Sequence, residues 1–113
     1  MTDRELLELA AKAAGYGAHW DEEYDRMQMC YQHKGGPNFE EWNPLEDDGD
    51  ALRLAVKLRM NVRVEDYGAS ARIDGKPHGA WSGCEAHLHG GIDAATRRCI
   101  VRAAVAIGQQ EGE

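Results

Sequence analysis

The sequence has no apolar run approaching the roughly 18 residues that cross a bilayer, and it has no excess of basic residues. Its 113 residues include 20 acidic and 13 basic side chains, giving a formal net charge of −7. Affinity for nucleic acid depends on clustered Lys and Arg, so this balance argues against direct nucleic-acid binding. The opening residues 1–5 also lack the basic and apolar regions of a signal peptide. We therefore expect a cytoplasmic protein with no membrane partner.

Cysteine is scarce and shows no pairing pattern. Cys30, Cys84 and Cys99 are widely spaced, odd in number and without a CxxC pair, so reduced thiols fit better than a disulfide framework. The apolar fraction of 42% and the charged fraction of 29% are typical of a soluble globular protein. A chain of this length predicts one domain over residues 1–113.

Three helices are predicted from their end signals. Thr2 and Glu5 form a capping box, and the helix that follows has a natural stop at Gly15. The second helix begins either near Asn43, with Pro44 in its first turn, or at Asp47. Its predicted buried stripe comprises Ala51, Leu54, Ala55 and Leu58. The third helix is predicted from a cap at Asp93 to a stop at Gly108.

Alternating polar and apolar residues predict five strands, over residues 27–32, 39–42, 62–64, 69–73 and 85–89. The predicted order is α-β-β-α-β-β-β-α. This order indicates an α+β domain in which three helices pack on an antiparallel sheet.

A candidate metal site lies near the end of the last predicted strand. Residues two apart on a strand point the same way, so His87 and His89 could bind zinc together with Cys84. The fourth ligand stays open among His33, Cys30 and His78. The alternative is that the two histidines are ordinary polar residues on the outer face of the sheet.

An acidic cluster surrounds the start of the second helix. Asp47, Asp48 and Asp50 have the sign that stabilises a helix N-terminus, and their spacing does not match a calcium loop. They predict either simple dipole and solubility roles or an acidic patch that faces a basic protein surface.

Tryptophan supplies the candidate anchors. Trp20, Trp42 and Trp81 all have the character of core residues, although Trp81 lies in the Gly-rich passage 75–83. An aromatic residue in such a loop is often an interface anchor or a pocket lid. We therefore assign partner binding to Trp42 and Trp81 together with the acidic cluster.

Three segments carry a family resemblance. They are DRELLELAAKAAG at 3–15, WNPL at 42–45 followed by DGDALRLAV at 48–56, and ATRR at 95–98. In these segments the chain resembles short uncharacterised proteins of tailed phages and prophages of Gram-negative bacteria. It is more distantly similar to the NinX-like accessory proteins of lambdoid phages.

The resemblance implies a phage-encoded protein and brings no catalytic residues with it. Small acidic phage proteins often bind and block host machinery, so the leading hypothesis is a non-catalytic, anti-CRISPR-like inhibitor of a host protein, with a homodimer left open. The alternative is a small-molecule or nucleotide sponge, or a metal-dependent enzyme, built around Cys84, His87 and His89. A third hypothesis is a structural or regulatory role with stable self-association and no host target.

Overall fold

The structure, a computed structural model, describes residues 1–33, 36–73 and 82–111. Its elements are α1 (Asp3–Ala14), β1 (Ala18–Asp21), β2 (Arg26–His33), β3 (Gly36–Glu41), α2 (Asp48–Lys57), β4 (Met60–Glu65), β5 (Gly68–Ile73), β6 (Ser82–Glu85), α3 (Ala86–His89) and α4 (Ile92–Glu111). The α+β prediction is confirmed, with four helices in this part of the chain rather than three.

The strands form two antiparallel sheets of three strands each, in the orders β1-β2-β3 and β4-β5-β6. Helix α1 packs against β1 and β2, whereas α4 packs against the second sheet. Because α1 and α4 also pack against each other, the two helices join the sheets around one core. Both helices bury several small side chains: Ala10, Ala11, Ala14, Ala103 and Ala104.

The first helix begins and ends where its sequence signals predict. The Thr2 hydroxyl accepts a hydrogen bond from the Glu5 backbone N–H at 3.2 Å, and the Glu5 carboxylate in turn accepts from the Thr2 backbone N–H. Gly15 ends the helix in the left-handed conformation at φ 72°, which costs glycine little.

The second helix begins at the later of its two predicted starts. Asp47 is the N-cap, and its side chain accepts the Asp50 backbone N–H at 2.8 Å. Pro44 lies before the helix, because the Asn43 carbonyl accepts from the backbone N–H groups of Glu46 and Asp47 and so closes a separate turn.

Two predicted boundaries of the last helix are wrong. The Gly91 carbonyl accepts the Ala95 N–H at 3.0 Å, so the helix starts before Asp93, which lies within the first turn. Gly108 does not end the helix, which continues to Glu111. A Cβ at Gly108 would overlap the carbonyl oxygen of Leu9, so this glycine allows α4 to contact α1.

The strand predictions also need correction. Residues 18–21, which include Trp20, form the additional strand β1. The predicted strand 85–89 is wrong, since strand pairing ends at Glu85 and residues 86–89 form the single turn α3. Two glycines end that turn, and the Gly91 N–H donates to the Ala86 carbonyl at 2.9 Å.

Candidate functional site

Strand β4 lies at one edge of the second sheet. Some of its side chains are exposed although they point to the same face of the sheet as the buried residues of β5. Val62 and Val64 are opposite Ala71 and Ala69 of β5, both of which are buried. Directly opposed residues point to the same face, yet Val62 is 38% exposed and Val64 is 55% exposed. The reason is that α4 packs mainly over β5 and β6. The apolar side of the sheet therefore extends beyond the helix that covers it.

Helix α2 contributes two more exposed apolar residues beside this strand. Leu52 is 64% exposed and Val56 is 68% exposed, while Ala51, Leu54 and Ala55 form the buried side of the helix. Residues four apart lie on the same side of a helix, one turn from each other. We refer to the four exposed residues Leu52, Val56, Val62 and Val64 as the α2–β4 face.

A groove of about 330 Å³ runs between α2, β4 and α4. Leu52, Val62 and Val64 line it together with Ile92 and Ile100 of α4, and its polar lining comes from Asp48, Asp93, Thr96 and Arg97. A solvent-accessible groove with this mostly aliphatic lining and a polar border is typical of a site that binds an apolar group of another molecule.

The acidic cluster beside the groove is largely used within the protein. Asp50 is buried, and its carboxylate accepts from the Asn43 backbone N–H at 2.9 Å and from the Arg53 guanidinium at 2.7 Å. Asp47 caps α2 and lies 3.8 Å from the same guanidinium. Asp50 therefore holds the segment that leads into α2 through its hydrogen bond to Asn43, and its buried side chain has little surface for a partner.

Asp48 is the member of the cluster that lies at the groove. Its carboxylate pairs with Arg97 of α4 at 2.7 Å, and Arg97 also donates to the Leu45 carbonyl at 2.9 Å. The Asp48 side chain is 78% exposed and stays accessible beside Asp93, whose residue is also exposed. Of the three predicted carboxylates, Asp48 has the position best suited to meeting a partner at the groove.

The tryptophans predicted to anchor a partner do not reach this surface. Trp42 is 1% exposed, and its ring makes an edge contact with the Tyr16 ring at a centroid distance of 5.7 Å. Its backbone N–H donates to the Met27 carbonyl at 2.9 Å, which holds it in the core. The structure thus places Trp42 where it cannot contact a partner, because the core already surrounds its ring. Trp81 lies outside the described residues.

The strand geometry that motivated the zinc site is absent. His87 and His89 lie in the helical turn α3, so the two-residue spacing no longer brings their rings to one face. His87 is exposed and lies 3.5 Å from the Glu85 carboxylate. Within the described chain, no group of three His, Cys, Asp or Glu side chains is arranged to hold a metal ion. The side chains of Cys30 and His33, and all of His78, lie outside the described part.

The surroundings of His89 and Cys84 are cationic. Burial lowers the pKa of His89 below its ordinary value of 6.5, and the nearby Arg98 and Arg102 lower it further. The Arg102 guanidinium lies 3.5 Å from the Cys84 sulfur. The positive charges of these two arginines repel a metal cation that approaches the candidate ligands.

The thiol of Cys99 is also poorly suited to nucleophilic chemistry. Burial in the core, with a smaller contribution from the neighbouring Cys84, raises the pKa of Cys99 to about 12. Its S–H donates to the Thr96 carbonyl at 3.1 Å. The reactive form of cysteine is the thiolate, so Cys99 is a structural thiol at neutral pH.

Sequence reasoning did not identify the α2–β4 face. The alternation in β4 correctly suggested that Val62 and Val64 share one side of a strand, but it gave no indication that α4 leaves them uncovered. Leu52 and Val56 did give a signal, because both are apolar and fall outside the predicted buried stripe of α2.

Comparison with known proteins adds no relative: no family model, curated protein or solved structure matches the chain. In the part of the chain that the structure describes, no helix is long and apolar enough to span a membrane.

Proposed function

We propose that this chain is a non-catalytic binding protein that uses the α2–β4 face to contact a protein of a bacterial host. The observation that carries the proposal is the exposure of the four aliphatic side chains of the α2–β4 face, three of which line one groove. Two of them, Val62 and Val64, have the orientation of core residues. Exposed aliphatic groups that border a groove are stabilised when another protein removes them from water, by roughly 25 cal/mol for each Å² covered.

The charge around the groove supports a partner with basic groups. Asp48 and Asp93 lie at the groove, where Arg97 offsets one of the two negative charges, and the whole chain carries a formal net charge of −7. Long-range attraction between opposite charges accelerates association, while the apolar contacts determine how long the complex lasts. In this proposal Asp48 guides the partner and Leu52 and Val64 hold it. Phage origin and inhibition of a defence system extend the same proposal, on the strength of the family resemblance.

Site-specific photo-crosslinking in a Gram-negative host tests the proposal. A photoreactive amino acid is placed at Val56 in one strain and, as a matched control, at Tyr24 in another. Tyr24 is 62% exposed and lies between β1 and β2, on the other sheet. We expect a host protein to be crosslinked from position 56 and not from position 24.

A second substitution connects this adduct to the apolar contact. Leu52→Asp removes an exposed aliphatic group without disturbing the buried side of α2, so it should abolish the adduct while leaving the unfolding transition unchanged. Adducts that form equally from both positions, or that persist in the Leu52→Asp variant, would refute the assignment of this face.

A further inference from the structure

Another cavity, of about 440 Å³, lies between the first turn of α1, the turn before α2, helix α3 and the first half of α4. Its apolar walls include Leu45 and Leu88, and Leu88 is 66% exposed. Among the charged residues that line it are Asp3 and Arg98. We refer to it as the α1–α4 cavity. It contains none of the four residues of the α2–β4 face, and its volume is in the range of cavities that bind small molecules.

Arg98 reaches this cavity with N–H donors that the protein does not use. The side chain is 27% exposed, and its Nε is buried with no hydrogen-bond acceptor among the described residues. Its Nη1 lies 3.7 Å from Asp3 Oδ1, which is farther than a hydrogen bond. Arg97, which also lines the cavity, already donates to Asp48 and to the Leu45 carbonyl. Arg98 is therefore the guanidinium that can bind a further anion, since its planar fork fits both oxygens of a carboxylate.

The electrostatic potential in the cavity favours a ligand with one negative charge. His89 lines the cavity, and its pKa is lowered by burial and further by Arg98 and Arg102, so the two arginines hold the ring in a positive potential. The neutral ring has one N–H, which can donate to an anion. Asp3 and Glu46, both exposed, also line the cavity. Their charges repel a dianion such as phosphate more strongly than a carboxylate.

We propose that the α1–α4 cavity binds a small organic carboxylate whose oxygens accept hydrogen bonds from Arg98 and His89 and whose apolar part packs against Leu88. Binding displaces Asp3 from Arg98. The Asp3 side chain is 69% exposed, so its return to water costs little. Because one arginine supplies the charge beside solvent, the dissociation constant should be about 1–10 mM. This binding requires neither the α2–β4 face nor a host protein.

NMR titration of the full chain with sodium hexanoate, at constant ionic strength, tests this site. Hexanoate should shift the resonances of the Arg98 Nε–H and the His89 ring, and the shifts should saturate. 1-Hexanol has a carbon chain of the same length without the charge and should bind at least about tenfold more weakly. Inorganic phosphate should also bind more weakly than hexanoate, because Asp3 and Glu46 repel its second charge.

Two variants and one control identify the groups that bind hexanoate. Arg98→Gln removes the guanidinium and should weaken hexanoate binding by about tenfold or more. Asp3→Asn removes the competing carboxylate and should tighten binding about threefold. Arg59→Gln, the same change at an exposed arginine between α2 and β4, is the matched control and should leave binding unchanged.

Each other outcome overturns the assignment of the cavity to a carboxylate. Shifts that do not saturate, or that spread evenly over the chain, would show that hexanoate has no site there. Equal affinity for 1-hexanol or for phosphate would show that the cavity does not select a carboxylate. Unchanged hexanoate binding in a folded Arg98→Gln variant would exclude Arg98 as the donor. If that variant does not fold, Asp3→Asn decides, since unchanged affinity there contradicts the displacement of Asp3.

Discussion

Replacing Asp50 with alanine should destabilise the protein much more than the same change at Asp48, two residues earlier. Both residues lie in the first turn of α2 and carry the same charge. Asp50 is buried and accepts two hydrogen bonds, whereas the Asp48 side chain is 78% exposed and makes one ion pair. The comparison separates the structural role of the acidic cluster from its surface role.

The expected cost of Asp50→Ala comes mainly from the backbone of Asn43. That partly buried N–H donates to the Asp50 carboxylate at 2.9 Å, and leaving such a group without an acceptor costs about 1–3 kcal/mol. The pair with Arg53 adds at most about 1 kcal/mol, because the Arg53 side chain is largely exposed. Loss of a negative charge from the helix N-terminus adds about 0.5 kcal/mol. The total is about 1.5–4.5 kcal/mol.

Asp48→Ala removes only an exposed ion pair and a similar dipole contribution, so its cost should stay below about 1.5 kcal/mol. Urea unfolding of both variants, followed by tryptophan fluorescence, gives the two free energies of unfolding. If Asp50→Ala lowers the free energy of unfolding by no more than Asp48→Ala does, the hydrogen bond to Asn43 does not stabilise the segment that leads into α2. The structural explanation of the cluster would then be wrong.

Three further predictions concern other parts of the molecule. Gly108→Ala should lower the free energy of unfolding by about 1–2 kcal/mol despite the better helix propensity of alanine, because its Cβ would overlap the Leu9 carbonyl. Gly17→Ala, whose Cβ meets nothing within 4 Å, should be nearly neutral, and thermal unfolding compares the two. The midpoint of the NMR titration of His89 should lie below pH 6.5, because burial and the nearby arginines disfavour its charged form. Protonation of His89 therefore lowers the free energy of unfolding as the pH falls below 6.5. Added salt, which screens the arginines of α4, should raise the pKa of His89. Cys99 should resist alkylation by iodoacetamide in the native protein and react after unfolding, as peptide mapping would show.

The parts of the fold that sequence predicted correctly depend on local chemistry. The capping box of Thr2 and Glu5 requires only residues within one helical turn, and the alternation in 69–73 directly reflects one buried face. The strand prediction for residues 85–89 was wrong because five alternating residues are too few to distinguish a strand from a turn of helix. The prediction that Gly108 ends the last helix was wrong because a glycine that allows two helices to contact each other looks the same in the sequence as a glycine that ends a helix.

The candidate site depends on tertiary contacts that no local pattern encodes. Trp42 was assigned to partner binding although its residue type also fits a core position, and its burial is determined by contacts with distant residues such as Tyr16. The acidic cluster lies at the start of α2 as predicted, while the pairing of Asp48 with Arg97 links residues 49 positions apart. Val62 and Val64 are exposed because α4 packs over the other two strands. That arrangement becomes visible only once the helix and sheet are assembled.

If the α2–β4 face binds a host protein, that protein should cover the face in a host lysate. Cysteine is introduced at Val56 in one variant and at the exposed control position Tyr24 in another, and maleimide labelling at each site is quantified by peptide mapping. Purified, dilute protein and fresh host lysate are compared. We expect position 56 to be labelled readily in purified protein and to be protected in lysate, while position 24 is labelled equally in both. Equal labelling of position 56 in both samples would show that no host protein covers the α2–β4 face.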